Sequence, residues 1–192
     1  MKRLVAVAVS VGLMFSLSAC ATDPLADQFR SGSNKNYISG DGSVTEFNGK
    51  KSVGEKWTST TFDGQIISSD SLLGHVTVLN FWYAGCAPCR AETPDLAKIA
   101  STYEAKGVYV VGVNVRDTAP TALAFARTHK LNYPSVMDIE TGAVVQAYTG
   151  VVSPSAVPTT LVINAKGEVT SRVLGRFEPS TLRSLIDTAL KG

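Results

Sequence analysis

The chain has 192 residues, of which 44% are hydrophobic, 8% aromatic and 18% charged. This composition excludes a disordered or fibrous protein and is sufficient for one globular core with appendages. Without Lys2 and Arg3, which belong to the signal-like segment described next, 16 basic residues face 16 acidic ones. Because phosphate binding needs a basic surface, a neutral domain is not expected to bind nucleic acid.

The first residues have the features of an export signal. Lys2 and Arg3 precede an apolar run over residues 4–17 that is short for a membrane-spanning helix. Residues 17–20, LSAC, resemble the bacterial lipoprotein signal, in which cleavage precedes the cysteine and diacylglycerol is attached to its sulfur. We therefore expect residues 1–19 to be a signal peptide and Cys20 to carry a lipid anchor outside the cell membrane. An uncleaved N-terminal anchor is the alternative.

Residues 20–36 are polar and show no apolar period, which predicts a flexible tether before a folded domain over residues 37–192. Two patterns at the start of that domain predict β-hairpins, one over residues 37–47 around Gly40-Asp41-Gly42 and one over residues 57–68 around Asp63-Gly64.

The remaining chain alternates between strand-like and helix-like patterns, which favours an α/β fold with a parallel layer. Strands are predicted at 75–82, 108–113, 135–137, 157–163 and 169–174, and helices from 88 to about 107, at 120–130, at 144–148 and from 178 onward.

Cys86 and Cys89 stand three positions apart at a strand-to-helix junction. A disulfide between them closes almost no loop and adds little stability, so its purpose should be chemical. The strand ending at Trp82 and the helix beginning near Pro88 place Cys86 at a helix N-terminus, where backbone N–H groups and the helix dipole stabilise a thiolate. Cys89 lies one turn further, within bonding reach of Cys86, and is expected to be the less exposed of the two.

This arrangement predicts thiol-disulfide exchange. Cys86 attacks a substrate disulfide to form a mixed disulfide, and Cys89 then attacks Cys86 to release the reduced substrate. Pro88 presets a helical φ in the first turn without leaving an N–H unused.

Asn80-Phe81-Trp82, followed by Cys86-Ala87-Pro88-Cys89 and Glu92, resembles the ResA/TlpA/CcmG branch of membrane-tethered thiol-disulfide oxidoreductases in the thioredoxin superfamily. The resemblance covers residues from about 55 to 190. It implies a thioredoxin-like fold with a central mixed sheet flanked by helices, an N-terminal β-hairpin, and an insertion at about residues 131–156.

In that family the proline at the head of the next strand, here Pro158, is cis and lies against the reactive cysteine. The resemblance therefore implies that Val157 and Pro158 bind an extended substrate through the Val157 backbone. A lone proline in this position would otherwise indicate only an edge strand.

Glu92 matches the family's acidic residue, which implies a catalytic role in exchanging a proton with Cys89. A carboxylate that merely stabilises the first helical turn is the alternative. Asn80 stands where cytoplasmic thioredoxins have a buried aspartate and has either a modulating or a purely structural role. Pro94 matches the superfamily's kink proline, which is structural.

The chain departs from many relatives in having Gly85, where they have tryptophan directly before the first cysteine. A flatter rim is therefore expected around Cys86. Trp82 is a candidate for substrate binding, although a tryptophan at a strand end is more often part of the core. His75 and His129 have no ligand spacing, so no metal is expected, and the redox disulfide should serve without a separate cofactor.

We expect a monomeric, lipid-anchored, extracytoplasmic enzyme that reduces disulfides of exported proteins. The resemblance implies apocytochrome c as a substrate and a membrane electron donor of the CcdA type. An oxidase of exported thiols, a copper- or haem-delivery protein using the same two sulfurs, and a redoxin-type peroxidase remain as alternatives. The peroxidase alternative lacks the Pro-x-x-x-Thr/Ser-x-x-Cys context that such enzymes have around their cysteine.

Overall fold

The structure, a computed structural model, describes residues 41–52, 55–152 and 156–192. The predicted signal peptide, Cys20, the tether and the first part of the first hairpin lie outside these residues. All of these described residues belong to one compact unit. No helix in the described ranges combines the length and the apolar character needed to cross a membrane.

Eight strands and four α-helices alternate along the described chain, with a 3-10 turn at Asp70–Leu72. The strands are β1 (Asp41–Ser52), β2 (Thr58–Thr60), β3 (Ile66–Ser68), β4 (Thr77–Trp82), β5 (Tyr109–Asn114), β6 (Ser135–Met137), β7 (Thr159–Ile163) and β8 (Glu168–Gly175). The helices are α1 (Ala87–Glu104), α2 (Ala119–His129), α3 (Ala143–Ala147) and α4 (Pro179–Ala189).

Six strands form one mixed sheet in the order β1-β8-β7-β4-β5-β6. β4, β5 and β6 are parallel, whereas β7 is antiparallel to β4 and β8 to β7. The predicted α/β architecture with a mixed central sheet and flanking helices is therefore confirmed. The segment before Pro158 holds β6 and α3.

Both faces of the sheet are covered, which explains why every residue of β4 is buried. On one face, Val78 and Val110 pack with Leu96 of α1 and Ile186 of α4. On the other, Leu79 and Val111 lie in a second cluster with Phe125 of α2, Val144 of α3 and Trp57. The reactive end of β4 therefore lies between two packed layers.

The hairpin predicted over residues 57–68 is confirmed, because β2 and β3 pair antiparallel around Gly64, which has a φ of +89°. Residues 41–47 of the other predicted hairpin are instead part of the single strand β1, which pairs with β8. The glycine that suggested a turn, Gly42, has a φ of +79° and lies at a register shift between Asp41 and Ser43. Its conformational freedom thus produces a bulge in the strand.

Candidate active site

The two cysteines lie where β4 gives way to α1. Cys86 is the N-cap residue of the helix, and its sulfur accepts a hydrogen bond from the Cys89 backbone N–H at 3.3 Å. Ala87 and Pro88 form the start of the helix, where a missing proline N–H costs nothing. Cys86 and Cys89 are joined by a disulfide, with their Cα atoms 5.3 Å apart.

Both sulfurs are buried in this disulfide form. Cys86 is 0% exposed and Cys89 2% exposed, so the expectation that Cys89 would be the less exposed residue is wrong here. The physical reason is packing, since both cysteines belong to the same buried cluster as Tyr83 and Val157. Neither sulfur of the disulfide is therefore open to solvent.

The redox loop, defined as residues 83–86, is held by a carboxylate from the neighbouring strand end. Asp117 Oδ2 accepts hydrogen bonds from the Ala84 N–H at 2.6 Å and from Asn114 Nδ2 at 2.8 Å. Asp117 was not among the residues predicted for the site. The available signal was its position just after β5, because parallel neighbouring strands end at the same edge of a sheet.

Gly85 leaves room for an aromatic ring two residues earlier. A Cβ at this position would lie 3.1 Å from Cε2 of Tyr83, which is tighter than ordinary contact. Arg116 in turn lies over the Tyr83 ring, 4.6 Å from its centroid. The rim beside Cys86 is therefore formed by Tyr83 and not by a side chain at position 85.

Glu92 projects from α1 into the core, where it is 1% exposed. Its Oε1 accepts from Asn80 Nδ2 at 2.8 Å, and its Oε2 accepts from the Phe177 N–H at 3.4 Å. Burial raises the pKa of Glu92 to about 8, against the opposing effect of these two hydrogen bonds and of the Arg176 charge. Since Glu92 is the sixth residue of α1 and the first turn carries no acidic residue, stabilisation of that turn does not explain it.

Asn80 links this carboxyl to the strand that follows Pro158. Its Nδ2 also donates to Thr160 Oγ1 at 3.0 Å, and Asn80 and Thr160 are register partners across β4 and β7. Pro94 lies inside α1, as the family resemblance implied. Sequence analysis did not identify Thr160, because its partner is 80 positions away in the chain.

The predicted substrate-binding residues are buried in the disulfide form. The Val157–Pro158 peptide bond is cis, as expected from the resemblance, and Val157 is 1% exposed. Trp82 is 3% exposed and donates from Nε1 to Ser135 Oγ at 2.9 Å, which places it with the core alternative. In the part of the chain that the structure describes, no group of three or more His, Cys, Asp or Glu side chains is placed to bind a metal ion.

The comparison with known proteins agrees with this geometry. Residues 45–172 match the model of the AhpC/TSA family. The chain is 32% identical over 151 residues to the thiol-disulfide oxidoreductase ResA of Bacillus subtilis, covering 76% of this chain and 82% of that protein. It is also 34% identical to ResA of Halalkalibacterium halodurans over 107 residues, which span 56% of this chain and 58% of that relative.

Two solved structures show the same architecture. A thioredoxin-family thiol:disulfide interchange protein from Chlorobium tepidum is 27% identical, with a TM-score of 0.66 and coverage of 75% of this chain and 99% of that one. A secreted thiol-disulfide isomerase from Corynebacterium glutamicum is 25% identical, with a TM-score of 0.71 and coverage of 81% and 97%. With the Cys86–Cys89 pair at the strand-to-helix junction, these matches establish that the chain belongs to the AhpC/TSA family and is a ResA-like thiol-disulfide oxidoreductase.

Proposed function

We propose that this oxidoreductase works outside the cytoplasm as a reductant of disulfides in exported proteins, held at the membrane by a lipid on Cys20. The signal-like residues 1–19 and the cysteine that follows them support export and anchoring. The similarity to a structural neighbour described as secreted supports the same compartment.

The reaction begins with the reduced pair. The Cys86 thiolate attacks one sulfur of the substrate disulfide, forming a bond to it while the substrate's S–S bond breaks and its other sulfur leaves as a thiolate that takes a proton. Cys89 then attacks the Cys86 sulfur, which releases the second substrate thiolate. The substrate gains two electrons, and the protein is left with the Cys86–Cys89 disulfide seen in the structure.

The observation that carries this proposal is the burial of Glu92 three residues after Cys89. Residues at this spacing are neighbours on a helix surface. Cys89 must lose a proton to attack, and a carboxyl whose pKa is raised to about 8 by burial exchanges protons near neutral pH. In the ionised state the same carboxylate adds negative charge near Cys89, which opposes ionisation of that thiol and favours the disulfide. This second effect suits a reductant, whereas proton exchange with Cys89 serves the reaction in either direction.

The substrate that we propose is the disulfide between the two cysteine residues of a haem-attachment site in apocytochrome c. A membrane electron donor of the CcdA type would reduce the Cys86–Cys89 disulfide again by the same exchange chemistry, supplying the two electrons. We propose that the protein engages both partners as a monomer.

Redox titration against glutathione tests the direction. A reduction potential near that of thioredoxin, about −270 mV, or lower supports the reductant, whereas a value near that of DsbA, about −120 mV, contradicts it. Trapping tests the substrate, because Cys89→Ser removes the attacking group and leaves Cys86 joined to its partner. Mass spectrometry of the trapped complexes should identify apocytochrome c; a Cys86→Ser Cys89→Ser variant, which can trap nothing, is the matched control.

A further inference from the structure

Thr160 occupies a position in the buried polar network that the reaction outlined above does not use. It is 0% exposed and lies opposite Asn80 in the antiparallel pairing of β4 and β7. Its hydroxyl is the second acceptor of the Asn80 amide, whose other contact is Glu92. The two N–H bonds of one side-chain amide are therefore divided between Glu92 and Thr160.

This hydrogen-bond pattern, in which both Glu92 oxygens accept, suits the ionised state of Glu92. An ionised carboxylate accepts hydrogen bonds and donates none, so Asn80 must present its NH2 group to it. When Oε1 takes up a proton it becomes a donor, while Oε2 still accepts from the Phe177 N–H, and the matching arrangement turns the Asn80 amide so that its oxygen faces Glu92. The amide oxygen then also faces Thr160.

A hydroxyl is suited to both arrangements, because it can accept from an N–H or donate to an oxygen. We propose that Thr160 is a positioning residue for Glu92, holding the Asn80 amide by accepting from it when Glu92 is ionised and by donating to it when Glu92 is protonated. The consequence for catalysis rests on the proposed function, in which Glu92 exchanges a proton with Cys89.

The charged and titratable groups around Glu92 do not hold the Asn80 amide in place. Arg176, just before Phe177, lowers the pKa of Glu92, whereas Asp95, one turn further along α1, raises it. Tyr133 is buried on the approach to β6, and the Glu92 charge contributes to raising the pKa of its hydroxyl. Cys86 and Cys89 are bonded to each other in the disulfide form and do not titrate. None of these groups hydrogen-bonds Asn80 among the described contacts.

The test is a carbon-13 NMR titration of the Glu92 carboxyl in the oxidised protein, with Glu92→Gln identifying the resonance. Thr160→Val removes the hydroxyl and leaves one Asn80 N–H without an acceptor when Glu92 is ionised. In the protonated state the Asn80 oxygen still accepts from Glu92, so the ionised state loses more, and the pKa of Glu92 should rise by about one unit. Thr160→Ser should restore the wild-type midpoint.

Thr159→Val is the matched control. Thr159 is an equally buried neighbour on β7, but its hydroxyl donates to the Ala156 carbonyl and not to this network. An unchanged Glu92 midpoint in Thr160→Val, or an equal rise in Thr159→Val, would overturn the proposal.

The wild-type protein provides a second measurement that needs no substitution. The side-chain NH2 resonances of Asn80 should change with pH at the same midpoint as the Glu92 carboxyl, and resonances that stay constant through that midpoint would refute the proposal. If Thr160→Val does not fold, this titration decides alone. Because no substrate is present, the outcome is independent of whether the enzyme proves to be a reductant or an oxidant.

Discussion

Replacing Glu92 by glutamine should remove a large part of the protein's pH-dependent stability. The pKa of this carboxyl is about 8 in the folded protein, compared with an ordinary value of 4.5. The folded protein therefore holds the proton more tightly than the unfolded chain, so the stabilisation is complete below pH 4.5 and is lost as the pH rises towards 8. The slope is about 1.4 kcal/mol per pH unit, which gives a loss on the order of 3–4 kcal/mol between pH 5 and pH 8.

Urea unfolding of the disulfide form at several pH values between 5 and 8 provides the measurement. Glutamine keeps an acceptor for Asn80 but cannot accept from the Phe177 N–H, so the variant loses a constant amount of stability at every pH. The relevant quantity is therefore the change with pH in the free-energy difference between wild type and variant. That difference should favour wild type most at pH 5 and shrink by roughly 3–4 kcal/mol by pH 8.

Glu104→Gln is the matched control, because it makes the same chemical change at an exposed residue of the same helix. Its unfolding free energy should follow the wild-type pH dependence. If the Glu92→Gln and wild-type curves ran parallel from pH 5 to pH 8, the assignment of a buried, proton-holding carboxyl would be incorrect.

Three further predictions concern the surroundings of the disulfide. In a reduced Cys89→Ser protein, iodoacetamide should alkylate Cys86 several-fold faster at pH 7 than it alkylates free cysteine, because the N-cap position stabilises the thiolate, and equal rates would contradict this. Asp117→Asn should lower the unfolding free energy by about 1–3 kcal/mol through weaker bonds to the redox loop, with no change in urea midpoint as the opposing result. Gly112→Ala should lower the unfolding free energy by about 1–3 kcal/mol and alter tryptophan fluorescence, because the added Cβ would lie 2.8 Å from Trp82 Nε1. An unchanged spectrum and an unchanged stability would count against the packing described.

The local part of the site was predictable from sequence. The apolar run ending at Trp82 and the helical spacing after Pro88 are short-range patterns, and together they place Cys86 at a helix N-terminus. The structure agrees, with α1 beginning at residue 87. The thioredoxin-like arrangement followed from the resemblance carried by these same residues.

Features that depend on distant contacts were not predictable. Gly42 has the signature of a turn, but whether such a glycine reverses the chain or forms a bulge depends on the partner strand β8, which lies more than a hundred residues further on. Likewise, helical spacing places Glu92 about one turn after Cys89 on α1. It does not show that the Phe177 N–H, 85 positions further along the chain, donates to the Glu92 carboxyl. The burial of Cys86 has the same origin, since Val157 lies far along the chain.

The contact between Tyr83 and Gly85 constrains how this enzyme can be redesigned. In this chain the Tyr83 ring fills the space beside position 85, and Arg116 lies over that ring. Any side chain introduced at position 85 would require the Tyr83 ring to shift by a few tenths of an ångström, and a large one by more, so the two positions are coupled. Directed-evolution libraries should therefore vary positions 83 and 85 together.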